Sequence, residues 1–129
     1  MIDFEIPGAP PLLLNARLHW RSVHRQRGQW KSWVSTALLG RIPPEPFNHA
    51  LVVYTRYCGY QEPDYDNLVS SWKWIQDAMV EVGLLGEDRR SNIEPMYLWE
   101  KATPKQKRVR IQVQPILGRN GTPPPSQTS

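Results

Sequence analysis

The stretch from residue 67 to residue 82 constrains the fold of this chain more than any other segment. Its large apolar side chains recur at intervals of four, three, four and three residues, which is the period of a helix with one buried stripe. These side chains are Leu68, Trp72, Ile75, Met79 and Val82. Asp66 precedes the segment as a natural N-cap, and Gly83 follows it as a stop signal. The pattern therefore predicts one amphipathic helix over residues 67–82.

Short strand-like segments and proline-rich loops make up most of the remaining chain. Alternation of apolar and polar residues predicts strands at residues 2–6 and 107–115, and a high content of Val, Tyr and Thr predicts one at 49–58. A further strand is predicted at 93–101, with a Pro-Lys turn between it and the last strand. A second helix is predicted from about Ser22 to Leu39, although Gly28 weakens its first half and allows a start near Gln29. The proline-rich residues 117–129 read as a disordered tail, which leaves one domain over residues 1–116.

Composition narrows the class of protein. A chain of 129 residues is expected to form a single domain with a real core. The one cysteine, Cys58, excludes an intrachain disulfide and a four-cysteine zinc site, and we expect it to be buried. No apolar run reaches the roughly 18 residues of a membrane span, and the acidic, strand-like N-terminus disfavours a signal peptide. A cytoplasmic protein is the expectation.

Charge is distributed unevenly along the chain, whose net charge is +4. No acid lies between Ile6 and Pro44 or after Lys101, whereas nine of the twelve acids lie between Glu62 and Glu100. Such an acidic centre with basic arms suits a site that recruits a polyanion through cations and holds a metal ion through carboxylates. Ordinary solvated surface charge is the alternative explanation.

The acidic centre contains carboxylates at spacings that suit a shared metal ion. Asp64 and Asp66 are two residues apart, so an extended backbone would put both on one face. On a continuous helix, Lys73 and Asp77 would share a polar stripe with Asp66. We expect the turn after Gly83 to bring Glu87 and Asp88 back to the same edge. Oxygen ligands of this kind bind a hard cation such as Mg²⁺, which assists phosphodiester cleavage.

Each of these residues also has an ordinary structural explanation. Asp66 could be only a helix cap, Lys73 and Asp77 only an i,i+4 ion pair, and the Glu87-Asp88 pair only a solvated turn. The three histidines lack ligand-like spacing, which disfavours a zinc hydrolase. Among the six tryptophans, Trp72 is expected in the core, while Trp20 and Trp99 are candidates for stacking on bases.

These motifs together resemble those of the RusA family of Holliday junction resolvases, particularly its phage and prophage members. The resemblance covers roughly residues 5–114. Its central part is Pro63-Asp64-Tyr65-Asp66-Asn67-Leu68, followed by Lys73, Asp77-Ala78-Met79, Gly83 and Glu87-Asp88. The early segment Leu14-Asn15-Ala16-Arg17-Leu18-His19-Trp20-Arg21 is also similar to that of the phage members.

The resemblance implies the roles of particular residues. Asp64, Asp66 and Asp88 would hold the metal and carry catalysis, with Glu87 beside them as a further ligand. In the best-known branch the essential lysine follows the second aspartate by four residues; here that position is Ser70, and Lys73 follows by seven. Independently of the resemblance, we expect the basic arms to hold DNA through its phosphates, with the residues Arg17, Arg21, Arg25, Lys31, Lys105, Lys107, Arg108 and Arg110.

The implied fold is a small α/β domain of the α+β type, with a mixed sheet of about four strands and two main helices. The implied activity is Mg²⁺-dependent resolution of four-way junctions by paired symmetric nicks, with Mn²⁺ as a substitute, in a bacterial or phage-infected cell. A homodimer is also implied, since a two-fold junction calls for two opposed sites. Two alternatives remain: a non-catalytic branched-DNA-binding protein of the same fold, and a nucleotide-sugar enzyme that holds a metal diphosphate.

Overall fold

A four-stranded sheet in the order β1-β4-β2-β3 organises the computed structural model, which describes residues 1–12, 19–86 and 93–116. The strands are β1 (Ile2–Pro7), β2 (Ala50–Tyr57), β3 (Ile93–Glu100) and β4 (Arg108–Pro115). β4 runs antiparallel to both β1 and β2, whereas β3 runs parallel to β2. This confirms the α+β class with a mixed sheet of four strands.

The two ends of β2 define two edges of the sheet that are used below. At the β2-exit edge, Tyr57 ends β2 opposite Arg108, which in turn pairs with Pro7. At the β2-entry edge, Ala50 begins β2 opposite Ile93 and Pro115. Because β2 and β3 are parallel, the chain must cross from the exit edge back to the entry edge between them. Helical residues 65–81 make this crossing.

Helices cover one face of the sheet. The long helix α1 (Trp20–Ala37) and the crossover helices α2 (Tyr65–Ser70) and α3 (Lys73–Glu81) pack on the face that carries alternate residues of the strands. Strand residues buried there include Phe4, Val52, Tyr54, Ile111 and Val113. The other face of the sheet, called the open face below, carries Arg108 and Arg110 on β4 and the exposed Met96 and Leu98 on β3.

Most predicted elements are confirmed, and α1 begins earlier than expected. His19 caps α1, since its Nδ1 accepts a hydrogen bond from the Arg21 backbone N–H at 3.2 Å. Gly28 lies inside the helix and does not interrupt it, so the suggested start near Gln29 is wrong. Packing against α3 explains this, because tertiary contact outweighs the roughly 1 kcal/mol propensity cost of one glycine.

The predicted single helix over residues 67–82 is wrong in its continuity, although its buried stripe is confirmed. The α-helical pattern breaks at Ser71 and Trp72, between α2 and α3. The hydroxyl of Ser70 donates to the Asn67 carbonyl at 3.1 Å, and that of Ser71 donates to the Leu68 carbonyl at 2.7 Å. Serine hydroxyls that bond back to the preceding turn bend helices, which accounts for the break.

The end of α3 is the stop that the sequence predicts. Gly83 has φ of 89°, and the Gly83 N–H donates to the Val80 carbonyl while the Leu84 N–H donates to the Met79 carbonyl. These two bonds form a Schellman motif, which favours glycine at the left-handed position. Cys58, expected to be buried, is half-buried because it lies just beyond the end of β2. No helix in the described ranges is long and apolar enough to cross a membrane.

Candidate active site

Asp64 and Asp66 lie on the surface at the start of α2, in the chain that leaves the β2-exit edge. The N-cap of α2 is Asp64 and not Asp66, because the Asp64 backbone is extended (φ −56°, ψ 146°) and its carbonyl accepts the Leu68 N–H at 2.9 Å. The Asp64 side chain makes no capping hydrogen bond. Asp66 lies in the first helical turn, where an acid is favoured by the helix dipole.

Both of these carboxylates are available to a ligand. Asp64 and Asp66 are exposed, and neither has an ion pair or side-chain hydrogen bond to any residue within 1–12, 19–86 and 93–116. A hard cation could therefore take their oxygens without breaking an existing contact. Within the same ranges no cluster of three or more histidine, cysteine or acidic side chains forms a complete metal site. Both aspartates have the chemistry of Mg²⁺ ligands, but the extended backbone expected to put them on one face is found only at Asp64, because α2 begins at Tyr65.

Lys73 lies at the start of α3 and is held by Asp77. Its Nζ lies 3.1 Å from Oδ1 of Asp77, and Nη2 of Arg27 on α1 lies 3.4 Å from Oδ2 of the same carboxylate. The i,i+4 pair that the sequence offered as the ordinary explanation is thus present. The break at Ser71 also means that a uniform 100° count from Asp66 to Lys73 does not apply. Lys73 remains exposed, so its ammonium is accessible from solvent.

The last described residue before Glu87 and Asp88 is anchored at the opposite edge of the sheet. The Gly86 N–H donates to the Phe47 carbonyl, and the Phe47 N–H donates to the Leu84 carbonyl, both at 2.9 Å. Phe47 lies just before β2, so this turn belongs to the β2-entry edge. The described part of the turn thus ends at this edge, and the expected return of Glu87 and Asp88 towards Asp64 stays a prediction. Glu87 and Asp88 lie outside the described residues, and so does Arg17.

The predicted DNA-binding residues of α1 lie on its exposed side. Arg21, Arg25 and Lys31 are exposed, and α1 contains no acid. Nζ of Lys31 pairs with Oε2 of Glu81 at 2.6 Å, which lowers the pKa of the Glu81 carboxyl through this hydrogen bond and the charge of Lys31. Arg21 and Arg25 have no acidic partner in the described part of the chain.

The cluster at residues 105–110 divides into two groups. Lys105 and Lys107 are exposed in the turn that precedes β4 at the β2-exit edge. Arg108 and Arg110 lie on the open face and are paired with acids of β1. Nε of Arg108 lies 3.3 Å from Oε1 of Glu5, and Arg110 holds both oxygens of Asp3 at 3.0 and 2.6 Å.

The Asp3–Arg110 pair is a fork-shaped contact that favours both charged forms. The hydrogen bond from Arg110 is the main cause of a lowered pKa for Asp3, and the same bond raises the pKa of Arg110. Because their charges are already balanced, Arg108 and Arg110 offer less attraction to phosphate than the two lysines. The predicted DNA-binding residues thus lie on two faces of the molecule and differ in their availability.

Arg56 was not among the residues predicted from the sequence to matter. It lies on the core side of β2 and is buried, with only 7% of its surface exposed. Its Nη1 donates to the Pro10 carbonyl at 2.5 Å, and burial lowers the pKa of its guanidinium. This bond fixes the chain at Pro10, just before the acid-free segment that leads to α1. The only signal in the sequence is the position of Arg56 in the inward-facing alternation of Ala50, Val52 and Tyr54.

No protein-family model and no curated protein sequence matches the chain.

Proposed function

We propose that this protein is a metal-dependent, structure-specific endodeoxyribonuclease that resolves four-way DNA junctions by paired nicks. The observation that carries the proposal is the pair of exposed, uncommitted carboxylates of Asp64 and Asp66 at the start of α2. Lys105 and Lys107 lie at the β2-exit edge, from which the chain leads to Asp64, and their charges attract the DNA backbone. The resemblance of the motif to the RusA family supports the same assignment.

Each residue of the proposed site has a separate role in cleavage. Asp64 and Asp66 hold Mg²⁺, or Mn²⁺ in its place, together with Asp88 and with Glu87 beside it. When bound, the cation polarises the scissile phosphate and lowers the pKa of water for attack. Lys73 brings a positive charge to the phosphate oxygens, where charge builds up as the bond breaks. Asp77 and Arg27 restrict the positions that the Lys73 side chain can take.

A homodimer is part of the proposal, because a four-way junction has two-fold symmetry and calls for two opposed sites. Tyr65, between the two aspartates, contacts Tyr97 halfway along β3 with ring centroids 6.4 Å apart. Gly86, the last described residue before Asp88, is instead held at the β2-entry edge by the Phe47 carbonyl. The proposal therefore assigns Asp64 and Asp66 of one protomer and Asp88 of a second copy to one site.

A two-fold axis beside the middle of β3 gives this arrangement. β3 is one of the two outermost strands of the sheet, and an axis perpendicular to it exchanges the entry edge of one copy with the exit edge of the other. Met96 and Leu98 near the middle of β3 are 48% and 41% exposed and lie two residues apart on the open face of this strand. Their burial by the second copy would stabilise the dimer.

The test of the proposed function is cleavage of a synthetic four-way junction. We expect symmetric nicks with Mg²⁺, no cleavage with EDTA, and no cleavage of a linear duplex of the same sequence. Junction binding in EDTA without cleavage in Mg²⁺ or Mn²⁺ would instead identify a non-catalytic branched-DNA-binding protein. Binding of nucleoside diphosphates without affinity for DNA would contradict both readings and favour a nucleotide-sugar enzyme.

A further inference from the structure

The tryptophans of the chain differ sharply in their surroundings. Trp30, Trp72 and Trp74 are buried, and Nε1 of Trp99 donates to the Cys58 carbonyl at 2.8 Å. Trp20, in contrast, is 60% exposed at the start of α1. An indole that remains this exposed adds little to the core, so its size and shape call for another explanation.

Trp20 lies within a small group of planar and cationic side chains. The ring of His19 stacks on it at a centroid distance of 5.8 Å, and the ring of His24 meets it edge-on at 5.7 Å. The guanidinium carbon of Arg21 lies 5.3 Å from the centre of the indole. These contacts restrict the Trp20 ring, and a restricted flat surface costs less entropy when a ligand stacks on it.

The charge around Trp20 indicates the class of ligand. Helix α1 carries no acid in its 18 residues, and Arg21 and Arg25 have no acidic partner among the described residues. An apolar protein segment would gain nothing from these cations, whereas a nucleotide has both a flat base and an adjacent negative phosphate. Aromatic surfaces in a cationic groove are the usual means of binding unpaired nucleotides.

The pairing of α1 with α3 places Trp20 at the same end of the molecule as Lys73. Arg27 pairs with Asp77, and four residues further along each helix Lys31 pairs with Glu81, so the two helices run in parallel. Lys73 lies about 6 Å before Asp77 along the axis of α3, and Trp20 lies about 10 Å before Arg27 along α1. Measured along the two helices towards their N-terminal ends, Trp20 therefore lies about one helical turn further than Lys73.

We propose that Trp20, backed by His19 and His24, stacks on an unpaired base of branched DNA, and that Arg21 and Arg25 contact the flanking phosphates. This inference rests on the proposed function and names the feature of the substrate that the protein recognises. Bases at a branch point lose part of their stacking when the arms are pulled apart, and Trp20 replaces that stacking next to the candidate active site. Duplex DNA offers no free base face to Trp20.

The test measures binding without cleavage. Fluorescence anisotropy in EDTA compares the full chain with Trp20→Ala, Trp20→Phe and Trp33→Ala on three probes: a thymine oligonucleotide, a four-way junction and a linear duplex. Trp33 is the matched control, since it is also exposed on α1, at 43%, but lies near the other end. Circular dichroism checks that each variant is folded.

We expect Trp20→Ala to weaken binding of the oligonucleotide by about 5- to 150-fold, the range that corresponds to one base stacked on an aromatic ring. Junction binding should weaken less, and duplex binding should not change. Trp20→Phe should retain most of the affinity, and Trp33→Ala all of it. Equal loss on all three probes, or no loss with Trp20→Ala, would overturn the inference.

The outcomes also separate this inference from the proposed function. If the wild-type protein cuts junctions and Trp20→Ala binds every probe normally, the stacking role is wrong and the nuclease assignment stands. If binding of unpaired bases depends on Trp20 but no metal supports cleavage, the stacking role stands and the nuclease assignment is wrong. Tight binding of an apolar peptide at Trp20, without any affinity for the oligonucleotide, would contradict the inference outright.

Discussion

A mixed dimer of two inactive variants should recover activity if the carboxylates come from different protomers. One chain carries Asp66→Asn and the other Asp88→Asn, and tandem affinity tags isolate the mixed dimer after co-expression. One of its two sites then combines both substitutions, while the other combines the intact Asp64 and Asp66 of one chain with the intact Asp88 of its partner. Each parent homodimer has a defect in both sites.

The expected magnitude follows from this count of sites. The mixed dimer should nick junctions at about half the wild-type rate per dimer, because a two-fold dimer has two equivalent sites and one is intact. Its product should be a singly nicked junction and not two linear duplexes. Nicking of an end-labelled junction on a denaturing gel measures both quantities.

A matched control has its two substitutions on the same side of the site. The mixed dimer of Asp64→Asn and Asp66→Asn chains should remain inactive, since neither site then has both aspartates. Recovery in this control, or no recovery with Asp66→Asn and Asp88→Asn, would refute the assignment of Asp88 to a different protomer from Asp64 and Asp66. The second result would mean that each site is built from one chain.

Three further predictions concern stability and assembly. Thermal denaturation should show that Gly28→Ala stabilises the protein by about 0.5–1 kcal/mol, because the new Cβ meets nothing within 4 Å. Gly83→Ala should destabilise it by about 1–2 kcal/mol, because the φ of Gly83 is 89°. The pKa of Asp3 is lowered in the folded state, so Asp3 makes a small contribution to the free energy of unfolding that is complete above its ordinary pKa of 3.8 and is lost as the pH falls below that value. In Arg110→Ala, denaturant unfolding curves measured at several pH values should no longer show this part of the pH dependence. Met96→Glu should shift sedimentation from dimer to monomer, and an unchanged dimer would exclude the β3 surface.

The sequence predicted the strands well because their alternation is local. The buried faces of β1 and β4 are readable as Phe4 and Ile6 and as Val109, Ile111 and Val113. The break between α2 and α3 escaped prediction, since it depends on whether serine hydroxyls turn back to the backbone or outward to solvent. The order of the strands also escaped, because local patterns do not say which strands pair.

For the candidate site, the spacing of Asp64 and Asp66 predicted an extended backbone with both carboxylates on one face, whereas α2 begins at Tyr65 and Asp64 is its N-cap. The contact of Asp77 with Arg27 joins residues that only the packing of α1 on α3 brings together. The same is true of the anchor of Gly86 on Phe47. Such long-range contacts have no signature within either segment.

The central claim, that Asp64 and Asp66 hold the metal for cleavage, is tested most directly by Asp66→Asn in a single-turnover junction assay. Asp66 lies in the first turn of α2 and is not its cap, so the neutral substitution should leave the fold and junction binding intact. Glu62→Gln, an exposed acid of the same loop, is the control and should cut normally. We expect Asp66→Asn to lower the cleavage rate by at least about a hundredfold, since loss of a metal ligand costs at least as much activity as loss of a residue that orients one. Equal rates for Asp66→Asn and the wild-type protein would contradict it.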